Sequence, residues 1–133
     1  MIFVDTSAWY AANVPTDPQY RVVQKTLASA DRLVTTDYVL DETLTLLKAR
    51  GHAHRARHLG KRLFDGRAAR LEYLNEQDVA QAWIIFSTYR DKAWSFTDCA
   101  SYVAMKRLAV SEAMALDEHF QEMPGISLVP LVV

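Results

Sequence analysis

The chain has one cysteine, Cys99, among 133 residues. It can therefore close no disulfide within itself and build no cysteine-based zinc module. Its four glycines are isolated, which removes the glycine-rich phosphate loop and with it the Rossmann and P-loop readings. No apolar run approaches the roughly 20 residues needed to cross a bilayer. The first residues, "MIFVDTSAWY", carry no basic region and no cleavage-like pattern, so no signal peptide and a cytoplasmic location are expected. Nor does one charge dominate: 15 Lys and Arg face 16 Asp and Glu. What remains is half apolar and 23% charged, with a length that fits one domain over residues 1–133 and a sizeable core.

That near-neutrality hides an uneven distribution. Residues 1–47 hold six acids against three bases, Arg21, Lys25 and Arg32. Residues 48–70, "KARGHAHRARHLGKRLFDGRAAR", hold eight of the fifteen bases and a single acid, Asp65. Residues 71–133 return to nine acids against four bases. A basic segment of this kind suits a phosphate backbone or an acidic partner, and equally a solvated helix face. Arg55, Arg57, Lys61 and Arg62 are its candidate phosphate contacts.

Short apolar runs alternate with longer helical patterns. Strands are expected at "IFV" (2–4), "RLVT" (32–35), "RLEYL" (70–74), "EAMAL" (112–116) and "ISLVP" (126–130). Helices are expected over about 17–30, opened by Asp17 with Pro18 in its first turn, then 37–50, 53–65, 76–90 and 97–109. Gly51 separates the second from the third. This alternation predicts an α/β fold with a central, mainly parallel sheet covered by helices on both faces. Open parallel sheets bind ligands beyond the carboxyl ends of their strands. There the first strand runs straight into Asp5, followed by Thr6 and Ser7, and the fourth runs into Asp117. The other expected strands do not end in an acid.

Helical geometry turns two more acids toward that edge. At about 100° per residue from Val39, Glu42 falls near 300°, beside the apolar stripe, while Asp41 points away near 200°. In "WSFTDCASYVAM", Asp98, Tyr102 and Met105 follow the i, i+4, i+7 spacing of one face. Ser95 or Thr97 can cap the helix ahead of Asp98 and leave its carboxylate free. Each acid alone has a plain structural role: Asp5 and Asp117 can cap the helices after them, Glu42 can be a rim charge, and Asp98 can complement a helix dipole. Gathered in one pocket, however, the four would repel one another and raise their own pKa values unless a cation neutralised them. Hard oxygen donors with no matching sulfur or imidazole set point to Mg²⁺ or Mn²⁺. Carboxylate-held divalent ions serve phosphodiester hydrolysis, and a flanking basic segment supplies backbone grip.

"VDTSAW", "VLDET", "SFTDCASYVAM" and "ALDEHF" together resemble the PIN-domain family, in particular the VapC-like ribonuclease toxins of toxin–antitoxin pairs. The resemblance spans essentially the whole chain. It implies a three-layer α/β/α domain and an endoribonuclease dependent on Mg²⁺ or Mn²⁺. It also implies a homodimer neutralised by a small VapB-like antitoxin. Motif by motif, Asp5, Glu42, Asp98 and Asp117 fall on the family's acidic quartet, as catalytic residues and metal ligands. Thr6 and Ser7 fall on the hydroxyl positions beside the first acid. Apart from the resemblance, Thr97 is a supporting residue at the helix start, and Arg55, Arg57, Lys61 and Arg62 of the basic segment are candidate RNA contacts. Asp5 and Asp98 would anchor the principal ion, with Glu42 completing the site or orienting the attacking water and Asp117 helping to recruit a second ion or the substrate phosphate. Members often carry a hydroxyl two residues before the last acid, where this chain has Ala115.

Other features have plainer readings. Cys99 reads as a small buried thiol, and Trp9 and Trp94 as core residues rather than base-stacking platforms. His54 and His58 sit at i, i+4 but lack the glutamate of a zincin motif. His119, two residues after Asp117, could reach the acids or stay at the surface. The apolar faces of residues 37–65 are open to a dimer partner or to the antitoxin. A haloacid-dehalogenase-like phosphatase would need an acid where Ser7 stands, and a receiver-like domain would need paired acids near the first strand. The best alternative is a catalytically weak PIN scaffold that binds RNA or protein, which cleavage assays with and without Mn²⁺ separate from the enzyme.

Overall fold

A computed structural model describes residues 1–133. Its five strands are β1 (Ile2–Val4), β2 (Leu33–Thr36), β3 (Arg70–Glu72), β4 (Glu112–Met114) and β5 (Ser127–Leu128). The helices are α1 (Thr6–Asn13), α2 (Tyr20–Ser29), α3 (Asp37–Ala49), α4 (Ala53–Phe64), α5 (Glu76–Thr88) and α6 (Phe96–Arg107). A 3-10 turn, His119–Glu122, lies between β4 and β5. The sheet order is β3-β2-β1-β4-β5 and every pairing is parallel, the α/β class expected from the sequence. No helix is long and apolar enough to cross a membrane.

Parallel neighbours need crossovers, so helical segments link most successive strands. Right-handed crossovers put the β1-to-β3 helices on one face and the β3-to-β4 helices on the other. Central β1 is consequently covered on both sides, which is why "IFV" is apolar without alternation. Phe3 and Val4 are wholly buried with Val34, Ala113 and Met114, and the helices add Val23, Leu47, Leu63 and Met105. Each such large side chain contributes roughly 1.5–3 kcal/mol by leaving water. Phe120, also fully buried, sets its ring 6.2 Å from that of Phe3. That contact anchors the 3-10 turn directly beside Asp117.

Chain order runs outward from β1 through β2 to β3, then returns to β4 on the opposite side of β1. The β1/β4 boundary is thus the switch point where loops part and ligands bind in such sheets. Asp5 and Asp117 stand just beyond it.

Three expectations need correction. Helix α2 begins at Tyr20, not at Asp17, whose Oδ1 instead accepts from the Gln19 N–H at 2.8 Å in a turn. Helix α1 has no counterpart in the sequence reading; its buried residues, Thr6, Ala8, Trp9, Ala11 and Ala12, leave it little amphipathic contrast. β2 runs through Thr36 and so meets Asp37, and β3 ends at Glu72. More than two strands therefore lead into acids.

Candidate active site

Asp5 is fixed from three directions. Its backbone N–H donates to the Met114 carbonyl at 3.0 Å, locking the end of β1 to β4. Its carboxylate caps α1: Oδ2 accepts from the backbone N–H of Ser7 at 3.3 Å and from Ser7 Oγ at 3.0 Å. Ser7 Oγ in turn accepts from the Leu116 N–H at 2.9 Å, which ties the first acid to the segment carrying Asp117. Asp5 Oδ1 is buried and has no hydrogen-bond partner. Burial, then the charges of Asp98 and Asp117, push the Asp5 pKa from 3.8 up to about 7, against the lowering effect of the Ser7 bonds.

Asp98 arrives on α6. Ser95 is the N-cap, accepting from the Asp98 N–H at 3.0 Å, and Asp98 Oδ2 accepts reciprocally from the Ser95 N–H at 3.0 Å. This is a capping box. The expectation that capping would leave Asp98 free is therefore corrected: one oxygen is engaged, Ser95 is the cap, and Thr97 forms no cap bond but lines the cleft. Oδ2 also lies 2.8 Å from Nδ1 of His119. No hydrogen bond within the protein uses Oδ1.

Glu42 is placed by α3, whose N-cap Thr36 accepts from the Val39 N–H at 3.2 Å. Beside Glu42, the buried Thr43 Oγ1 donates to Thr6 Oγ1 at 3.2 Å and fixes α3 against α1. Asp117 Oδ1 accepts from the His119 N–H at 3.2 Å. Against burial, which lowers it, the charge of Asp117 and the bond to Asp98 raise the His119 pKa, helped by the charges of Asp98 and Asp5.

Asp5, Glu42, Asp98, Asp117, Thr6, Ser7 and Thr97 line one cleft of about 660 Å³. Asp41, expected to point away, lines it too, as do Ser95 and His119. The cleft takes one face of α3, Asp41, Glu42, Thr45, Leu46 and Ala49, centred beside the apolar stripe and not on it, so pointing away from the stripe does not take Asp41 out of the cleft. No lysine or arginine is among the lining residues. Five carboxylates share this space with one imidazole and with no lysine or arginine to neutralise them. No three of the His, Cys, Asp and Glu side chains stand close enough to enclose an ion as they are placed. The donor set and the orphaned Asp5 Oδ1 nonetheless fit a hard divalent cation.

Arg55, Arg57, Lys61 and Arg62 are exposed on α4, and none of them lines the acidic cleft. Arg62 lines a second cleft of about 660 Å³, with Arg32, Arg67 and Arg70, at the opposite edge of the sheet. His54 and His58 are likewise exposed on α4. The apolar faces of residues 37–65 are mostly spent on the core, through Val39, Leu47, Leu59 and Leu63. Trp9 is core, and Trp94 donates from Nε1 to the His119 carbonyl at 3.1 Å.

Residues 2–126 match the model of the PIN domain family. Over 121 residues the chain is 32% identical to the 23S rRNA-specific endonuclease VapC20 of Mycobacterium tuberculosis, covering 90% of this chain and 92% of that one. The crystal structure of M. tuberculosis VapC20, a sarcin-ricin loop cleaving toxin, superposes with a TM-score of 0.85 at 28% identity over 91% of this chain and 93% of that one. FitAcB from Neisseria gonorrhoeae gives 0.72 at 15% identity, covering 98% of this chain and 97% of that one. A toxin–antitoxin complex from Klebsiella pneumoniae gives 0.67 at 13%, with the same coverage. These last two share the fold.

Proposed function

This chain belongs to the PIN domain family, and we propose that residues 1–133 act as one domain whose acidic cleft is the catalytic centre of a Mg²⁺- or Mn²⁺-dependent endoribonuclease. The observation that carries this reading is Asp5, a carboxylate with an unpartnered oxygen, raised by burial and then by two neighbouring carboxylates, in a cleft lined by no lysine or arginine. A charge cluster so expensive to bury is retained for a ligand that it neutralises.

Asp5 and Asp98 are the principal metal ligands, with Glu42 and Asp117 completing the set. When bound, a divalent ion supplies the charge that activates water toward the phosphodiester and stabilises the departing oxygen. Ser7 holds Asp5 and the Asp117 segment at one spacing, and Thr6 with Thr43 holds Glu42 at the same edge. Thr97 lines the wall beside Asp98. Arg55, Arg57, Lys61 and Arg62 on α4 grip the RNA backbone away from the chemistry.

The similarity to a 23S rRNA-specific endonuclease makes ribosomal RNA the first substrate to assay. The partner is a VapB-like antitoxin. The chain pairs with a second copy through α5 and its C-cap, where Trp83, Ile84, Phe86 and Tyr89 are exposed large apolar side chains that favour burial. Incubation of the protein with ribosomes and Mn²⁺, and mapping of the RNA ends, tests the reading. Cleavage that EDTA abolishes and Asp98→Asn removes is the expected result. Chelator-resistant cleavage, or none with any RNA and ion, would overturn it in favour of the binding scaffold.

A further inference from the structure

A carboxylate at the third position of a helix has two oxygens and two demands on them. In α6 the Ser95 N–H takes Oδ2 of Asp98 at 3.0 Å. One such bond leaves the side chain's terminal torsion soft, since rotations about sp³–sp² bonds have broad minima. The second contact, His119 Nδ1 at 2.8 Å, falls on the same oxygen. A carboxylate oxygen accepts, so in the tautomer that makes this bond Nδ1 carries the proton and donates. Two donors from separate elements of the fold thus converge on Oδ2.

His119 is itself held from outside the ring. Its N–H donates to Asp117 Oδ1 at 3.2 Å, its carbonyl accepts from Trp94 Nε1 at 3.1 Å, and the next residue, Phe120, is fully buried. Nδ1 stands 3.8 Å from Asp117 Oδ1, beyond hydrogen-bond reach, so Asp98 is its partner. With Nδ1 committed as a donor, that nitrogen offers no lone pair to a metal.

We propose that His119 is a positioning residue: with the Ser95 N–H it clamps Oδ2 of Asp98, so that Oδ1 is the oxygen presented to the divalent cation. This rests on the reading of the cleft as a metal-dependent nuclease centre. Groups that orient a ligand in this way typically govern metal affinity by 10- to 100-fold.

The test uses amide replacements as rulers. His119→Asn sets an N–H close to the place of Nδ1, His119→Gln sets it near Nε2, and His119→Ala sets none. Mn²⁺ affinity is measured by calorimetry on the full chain, alongside kcat and KM for RNA. His119→Ala is expected to weaken Mn²⁺ binding about tenfold or more and to lower kcat with KM for RNA little changed. His119→Asn should recover most of both losses and His119→Gln little. Wild-type Mn²⁺ affinity in His119→Ala, or rescue by Gln equal to that by Asn, would overturn the proposal. Wild type that binds Mn²⁺ but cuts no RNA would remove the nuclease reading, while the affinity series still decides the role of His119. Wild type that binds no Mn²⁺ would remove both.

Discussion

Helices α5 and α6 open with the same device. Each has a polar N-cap, Asn75 or Ser95, and an aspartate three residues on, Asp78 or Asp98, and in each the pair exchanges two hydrogen bonds. Both aspartates are buried, so each helix start carries a negative charge that its own geometry cannot neutralise. The difference lies across the gap. Asp78 meets Arg107, whose Nε stands 3.0 and 3.1 Å from its two oxygens and whose Nη1 also takes Glu72 at 3.0 Å. Asp98 meets a histidine and the neighbouring Asp5, in a cleft shared with Asp117 and lined by no lysine or arginine. One local motif thus serves architecture where a cation faces it and chemistry where acids do. The deciding residues are distant in sequence.

The strongest way to break this contrast is to neutralise each aspartate in turn. Asp98→Asn is expected to lower Mn²⁺-dependent cleavage by roughly 100- to 1,000-fold, the rate equivalent of several kcal/mol of lost metal assistance. Asp78→Asn, assayed below its melting temperature, should stay within about threefold of wild type, since Asp78 does not line the cleft. Equal losses in the two variants would erase the distinction.

The next effect concerns the charge cluster without its ion. The folded-state pKa of Asp5 lies above its value in an unfolded chain, 3.8 against about 7. The folded protein therefore holds that proton more tightly. Its contribution to stability is fully present below pH 4 and is lost as pH rises through about 7. At about 1.4 kcal/mol per pH unit the ceiling is roughly 4 kcal/mol. Urea melts of metal-free protein between pH 4 and 8 should show this loss in wild type relative to Asp5→Asn. Added Mn²⁺ should restore the most stability at the alkaline end. Parallel pH profiles for the two proteins would contradict the repulsion on which the site is argued.

Why only part of this was legible in the sequence follows from the same contrast. Strand β1 with Asp5 at its end, and the inward lean of Glu42 and Asp98, could be read from spacing because they are local. By contrast, β4 stops at Met114 and Asp117 follows on a loop, not straight off the strand. The idea that no other strand ends in an acid failed at Asp37 and Glu72. What separates those two from Asp5 is their partners: Asp37 Oδ1 accepts from the Leu74 N–H at 2.9 Å, and Glu72 takes Arg70 and Arg107 at 2.9 and 3.0 Å. The partners Leu74 and Arg107 are more than thirty residues away, outside any periodicity. Helix α1 escaped because burial around it leaves no polar stripe to count. His119 was left open because a two-residue offset does not say which of two acids a ring will meet.

A smaller effect sharpens the structural half of the comparison. Asp78→Asn keeps a side-chain oxygen for the cap but strips the charge facing Arg107. Removing one partner of a fully buried pair costs about 3–5 kcal/mol. The Arg107 side chain is one-third exposed, and water recovers part of that, so about 2 kcal/mol is expected. In the same metal-free melts Asp98→Asn should cost nothing or stabilise, because it relieves repulsion. Opposite signs from one substitution in one motif would show that the facing charge sets the energy.

The least effect is expected next door to the largest. Cys99 follows Asp98 and packs with Ala82, Ala100 and Val103 in a small cluster joining α5 to α6. A helix start ordinarily favours a thiolate. Here burial, then the charge of Asp98, push the thiol from 9.0 up to about 11, so near neutral pH it is protonated and unreactive. Cys99→Ala should leave cleavage within about twofold and cost about 1 kcal/mol for the small void left in the cluster. Alkylation of the folded protein at pH 7.5 should be slow and should accelerate only on unfolding. Fast modification with loss of cleavage would place Cys99 on the cleft side of α6 and undo the division between a face that packs and a face that holds charge.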